Sequence, residues 1–343
     1  MHLTSPRTVA KSAGAVALML CTATQSAASQ AIRENDQMRL EVIGLKHWTL
    51  PMIDDSLRRY APKDSLMSHA CAGVLRESLK FADASVVYYT GTFGDSVMKP
   101  YLAVTVVEPQ DSALIRYRAP FTDSLPPRRA WRAMRTVFAK HNLVFQQAMQ
   151  RSEFLWSDAA LSVADSSLRP ALPLRRFLRA HDTAKDRQTA LATLATNGNA
   201  DDRVVAVLLL ANFAESDSTW WALAEALRDP AASVRGTAAQ LLTALSRRAP
   251  RRVDWTPATP TLRALLDGTN LFAHNQVMEV LAATQIDSAL ARPLLHGGGD
   301  LVLAKLHSQG MAEHQASRRF LVQLAGRDLG ASPTAWEEWI RGL

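Results

Sequence analysis

From Pro170 to the C-terminus, amphipathic helical stripes follow one another and strand signals are absent. This succession limits the fold more than any other feature, because short helices with one apolar face are stable only when packed on each other. The clearest stripe runs from Asp229 to Leu245, DPAASVRGTAAQLLTAL. Val234, Ala238, Leu241, Leu242 and Leu245 recur there at helical spacing. Asp229 is placed to cap the helix and Pro230 to take its first position. A second apolar helix, Thr219 to Arg228, precedes it, and the small residues Ala231, Ala232, Gly236, Ala238 and Ala239 let a neighbour approach closely. Such a pair cannot bury its stripe alone and reads as one layer of a stack. The same periodicity predicts helices near 171–181, 184–196, 202–214, 217–228, 231–247, 258–267, 271–284, 287–296, 299–307, 311–325 and 333–341.

The local pattern repeats. Asp186-Arg187 and Asp202-Arg203 each open an apolar helix, and Arg187, Arg203 and Arg235 are separated by 16 and 32 residues, the lengths of one helix and one helix pair. An apolar helix followed by D-P-x-x-x-V-R-x-x-A-x-x-L resembles HEAT-type helical repeats. The resemblance implies an α-solenoid over residues 169–343, with a concave face for a protein or peptide partner. It also gives Asp202, Arg203, Asp229, Pro230, Val234 and Arg235 a structural role, each Arg bonding an Asp of its own or the next layer. The ending L-x-G-x-D-x-G…P-x-x-W-x-x-W, from Leu324 to Trp339, resembles the segment that closes bacterial HEAT-type arrays. Trp336 and Trp339 would then lid the open end of the stack.

Residues 32–168 read differently. Met38–Leu45 alternates weakly as a strand, Thr49 caps a helix to Tyr60, and Ser65 or Ser68 opens a second helix to about Phe81. Ser85–Phe93, Pro100–Val107 and Ala113–Arg118 are β-branched and aromatic runs, with turn residues at Gly94-Asp95 and Pro109–Ser112. They predict a three-stranded antiparallel sheet. A helix from Arg128 to Gln150, with Trp131, Met134, Phe138, His141 and Phe145 on one face, is expected to cover it. Phe154–Leu168 reads as a weaker helix or connector. The fold class is therefore mainly α: a small α+β domain (32–168) followed by the helical array (169–343).

The first 31 residues have the form of an export signal. Arg7 and Lys11 precede the apolar run Ser12–Leu20, too short to span a bilayer, and small residues follow with cleavage expected after Ala28 or Ala31. Leu20 before Cys21 argues against lipidation. After cleavage Cys71 is the one cysteine left of two, so no intramolecular disulfide forms. No later run approaches a membrane span. The protein is expected in the periplasm or outside the cell.

The chain lacks G-x-x-x-x-G-K-[ST], G-x-S-x-G, H-E-x-x-H and C-x-x-C. Gly297-Gly298-Gly299 reads as a helix–helix loop. None of the nine histidines has a convincing metal-ligand pairing, so neither a metal nor a cofactor is expected. The strongest enzymatic alternative is an active site in residues 32–150 built on Cys71, with His47 or His69 to hold a thiolate. Against it, Cys71 shares the apolar stripe of Met67, Val74 and Leu75. The formal charge of +7, 39 basic against 32 acidic residues, is spread over both halves and is no nucleic-acid footprint; that third reading also needs the export signal to be wrong. The arginine run Arg247, Arg248, Arg251 and Arg252 is best placed to touch an acidic partner. These observations point to a non-enzymatic protein-interaction module.

Overall fold

The computed structural model describes residues 30–68, 70–93, 97–122, 128–150, 172–248, 251–330 and 332–342. The expected signal, its cleavage sites, the Gly94-Asp95 turn, His69 and the connector 154–168 lie outside them.

Strands β1 (Gln30–Glu34), β2 (Arg39–Ile43), β3 (Asp83–Phe93) and β4 (Val97–Val107) form one sheet in the order β1-β2-β4-β3. β2 runs parallel to β4, and the other pairings are antiparallel. Period two splits the central strands between two faces. Leu40, Val42, Leu102, Val104 and Val106 pack on α1 (Leu50–Tyr60) and α2 (Cys71–Glu77). Thr49 caps α1, accepting the Met52 amide, and Pro51 sits in its first turn.

Three expectations for this half are corrected. The sheet is not three-stranded and antiparallel: it has four strands, because Arg39–Ile43 pairs in parallel with β4 and Gln30–Glu34 adds an antiparallel edge. Ala113–Arg118 is not a strand: a 3-10 turn spans Pro109–Leu114, and the chain beyond it is extended but bonds to helix ends instead of to the sheet. Its alternation is real and its partners are not strands. Likewise α3 (Arg132–Gln150) does not cover the sheet. Trp131, Met134 and Phe145 belong to the apolar core of the helical half, and α1 and α2 do the covering.

The helical half comprises α4 (Leu172–Arg179), α5 (Ala184–Thr196), α6 (Ala200–Leu209), α7 (Asp217–Ala226), α8 (Ala232–Arg248), α9 (Thr259–Leu266), α10 (His274–Ala283), α11 (Ser288–Gly298), α12 (Asp300–Leu306), α13 (Met311–Ala325) and α14 (Pro333–Arg341). α6 packs on α8, α8 on α10 and α10 on α13. Alongside, α5 contacts α7, α7 contacts α9, α9 contacts α11 and α11 contacts α14. The helices thus form two rows sharing one core, with Trp220, Trp255, Trp336 and Phe320 fully buried. The glycine run is a tight junction: α11 continues through Gly298, α12 starts at Asp300, and a Cβ on Gly299 would sit 2.4 Å from the Leu295 carbonyl oxygen.

The second face of the sheet docks on this array. Ile43 and Val107 pack against Leu271, Leu301 and Ala304. Beside them Glu41, fully buried, accepts from Ser308 Oγ at 2.9 Å and from the Gln309 amide at 3.2 Å. From β4 the extended segment 115–122 straps successive helix pairs at their turns. Thr269 Oγ1 accepts the Arg116 amide at 2.9 Å, the Arg228 carbonyl accepts the Arg118 amide at 2.7 Å, and the Arg118 guanidinium donates to the Leu194 and Ala195 carbonyls. The Arg128 amide and the Arg135 guanidinium then both reach Asp202. Polar contacts from Glu41 and from the segment after β4 therefore join the sheet side of the chain to the array beside the apolar face.

Candidate functional site

Helices α8, α10 and α13, consecutive in one row, enclose an open groove of about 740 Å³. Ala282, Ala283 and Val322 give it an apolar floor. Arg247, in the last turn of α8, stands at one side, and Arg318 and Arg319 of α13 at the other, with Glu279 of α10 also lining the groove. α13 stops because Gly326 takes φ +67°, a conformation glycine adopts without strain. The reversal returns Asp328 to Arg318, with Nη2 2.6 Å from Oδ2. The Gly330 amide and that guanidinium hold the Asp328 carboxyl below the usual carboxylate range. Arg247 and Arg319 are exposed and have no acceptor among the described residues. Two unneutralised guanidiniums above an apolar floor can take carboxylates whose neighbouring side chains are apolar.

Of the arginine run, only Arg247 lines this groove. Arg248 is exposed at the end of α8, Arg251 pairs with Asp217 at 2.5 Å, and Arg252 with Asp287 at 3.1 Å. The run straddles a helix end, so its members diverge. Arg318 and Arg319 stand 71 and 72 positions beyond Arg247, and only the stacking of α8, α10 and α13 brings them to it. Arg135 is also tied, to Asp202. These paired side chains do not converge into the single basic face that nucleic-acid binding requires.

The repeat-signature residues are interior. Val234 is fully buried. Arg203 bonds Asp229 of the next helix pair, with Nε to Oδ2 and Nη2 to Oδ1 both 2.7 Å, and both side chains are nearly inaccessible. Arg235 does not meet the Asp229 carboxylate; its Nη1 donates to the Asp229 and Pro230 carbonyls at 2.7 and 2.9 Å. α8 begins at Ala232, so Pro230 precedes the first helical position, and Asp229 Oδ1 accepts the Ala231 amide at 2.8 Å. At the chain's end Trp336 is buried, donates Nε1–H to the Gly330 carbonyl at 3.0 Å and meets Trp339 edge-on at 6.1 Å.

Cys71 is fully buried in the core between sheet and helices, and burial pushes its thiol up to about 11. Such a thiol is neither ionised nor reachable at neutral pH. In the chain beginning at Ser29, where it is the one cysteine, Cys71 should stay inert to a thiol reagent until denaturant is added. Rapid labelling of the folded chain would contradict this packing. The His47 amide donates to the buried Glu108 carboxylate, as do those of Lys46 and Trp48. Among the described residues no group of three or more His, Cys, Asp or Glu is arranged to hold a metal ion, and no helix is long and apolar enough to cross a membrane. Comparisons with protein-family models, curated proteins and solved structures find no match for the chain.

Proposed function

We propose that the chain is an exported, non-enzymatic binding module: a HEAT-like α-solenoid, fronted by a small α+β unit, that holds an acidic, partly apolar segment of a protein partner along the α8–α10–α13 row. The observation that carries this reading is the groove itself, with unpaired Arg247 and Arg319 flanking an apolar floor. Stacked helix pairs provide a long, rigid face, which lowers the ordering cost of binding an extended segment. Export is supported by the N-terminal pattern, and cleavage after Ala28 suits the fold best. Cleavage there leaves β1 whole, whereas cleavage after Ala31 would remove its first two residues.

The test is saturable capture from envelope extract by the full chain, beside an Arg247→Glu/Arg319→Glu variant. Both sites are exposed, so the variant keeps its fold. A protein retained by the first bait, released by salt and lost with the second supports the reading. Retention indifferent to the double reversal, or none at all, overturns it. An isolated partner should lose about 2–5 kcal/mol of affinity on reversal if carboxylates are buried against both guanidiniums.

A further inference from the structure

A second cleft, of about 610 Å³, opens between α2 with β3 on one side and α8 with the 3-10 turn Leu271–Ala273 on the other. It is independent of the groove above and lies within the size range of small-molecule sites. Its floor is a fixed polar chain. Arg76 of α2 reaches Asp83, with Nη1 3.6 Å from Oδ1; Tyr117 donates its hydroxyl to Asp83 Oδ2 at 3.1 Å; and the Arg235 guanidinium of α8 lies 4.6 Å over the Tyr117 ring. Nη1 of Arg235 is used by the Asp229 and Pro230 carbonyls. Its Nε and Nη2 have no acceptor among the described residues, and the same holds for Nε and Nη2 of Arg76. Stacking and two hydrogen bonds hold the Arg235 fork in place, so little entropy is lost when it takes an anion.

Two glycines make a separate point. Gly73 lies inside α2 and Gly236 inside α8, where glycine weakens a helix relative to alanine. Both line this cleft, and a Cβ built on either meets nothing within 4 Å. No packing contact accounts for them. What they do is keep the space between the two guanidiniums open. Asp83 lies between those guanidiniums, so a compact anion at the centre would be repelled. Negative charge is favoured at the two ends with a neutral stretch between.

We propose that this cleft binds a small aliphatic dicarboxylate, one carboxylate on the Arg235 fork and the other on Arg76. The test is calorimetric titration of the full chain with succinate, glutarate and adipate, beside acetate and inorganic phosphate. One dicarboxylate should bind at least about tenfold more tightly than acetate or phosphate. Arg235→Gln and Arg76→Gln should each weaken that binding about tenfold or more. Gly236→Leu should fill the cleft and abolish it while raising the thermal midpoint, which separates lost binding from lost folding. Phosphate binding as tightly as every dicarboxylate overturns the proposal. So does dicarboxylate binding that survives both arginine substitutions, or no binding at millimolar concentration.

Discussion

Asp229→Ala is expected to destabilise the chain by about 3–5 kcal/mol, the cost of leaving a buried guanidinium without its carboxylate. The thermal midpoint should fall by on the order of 10 °C. Arg203 and Asp229 are 2% and 1% exposed, and their two parallel 2.7 Å bonds join consecutive helix pairs. The same carboxylate accepts the Ala231 amide just ahead of α8, so the substitution also removes support from that helix start. The Phe121 ring lies 4.4 Å from the Arg203 guanidinium and the Asn197 carbonyl takes its Nη1, so the cation stays held in the interior when its carboxylate is removed. Removing both charges with Arg203→Met/Asp229→Leu should cost less than Asp229→Ala alone, because apolar side chains of similar volume can fill the space. Urea denaturation of these two variants and of the Arg203→Met single variant reads this directly. Equal or additive losses would mean that the two side chains are not coupled.

This pair also marks how far the sequence could be read. The D-R spacing announced that Asp202, Arg203, Asp229 and Arg235 act structurally, and the helical stripes located the elements of the array within a few residues. The partners were not legible, because they depend on how layers stack: Arg203 reaches forward one pair, while Asp202 is taken by the Arg128 amide ahead of α3 and by Arg135 of α3. The same limit explains Ala113–Arg118 and α3. Alternation and an apolar face reveal that a segment is extended or amphipathic, not which surface it will meet. β1 escaped notice because it is short and the first two of its five residues fall within the expected signal. The groove was half visible, through Arg247. Its other wall is carried by residues over 70 positions away. The cleft had no linear signature at all, since Arg76 and Arg235 come from separate halves and line one space only because the sheet docks on the array.

That docking surface leads to the second large effect, on acid stability. His274 is fully buried at the start of α10, its Nε2 3.3 Å from the Leu266 carbonyl and its Nδ1 without a partner. Burial, and then the nearby Lys305 cation, lower its pKa from 6.5 to about 3. Between those values the unfolded chain binds a proton that the folded chain refuses. The contribution of His274 to stability is thus fully present above pH 6.5 and is lost as pH falls toward 3. At pH 4 the loss amounts to about 3 kcal/mol, at roughly 1.4 kcal/mol per pKa unit. Two neighbours titrate with other signs or in other windows. Glu41 is raised by burial, so its contribution is present in acid and declines as pH climbs through its folded value. Lys305 is lowered to about 8 by burial, so stability rises with pH between about 8 and 10.5, clear of the acid limb. His274→Gln keeps a donor for Leu266 and removes the titration, leaving Glu41 and Lys305 in place. Its stability should therefore fall by about 3 kcal/mol less than that of the parent between pH 7 and pH 4, read from urea midpoints at each pH. Parallel pH dependences in the two proteins would locate the acid sensitivity elsewhere. The expected divergence would make His274, buried at the start of α10 beside Lys305, a group whose protonation limits stability in acid.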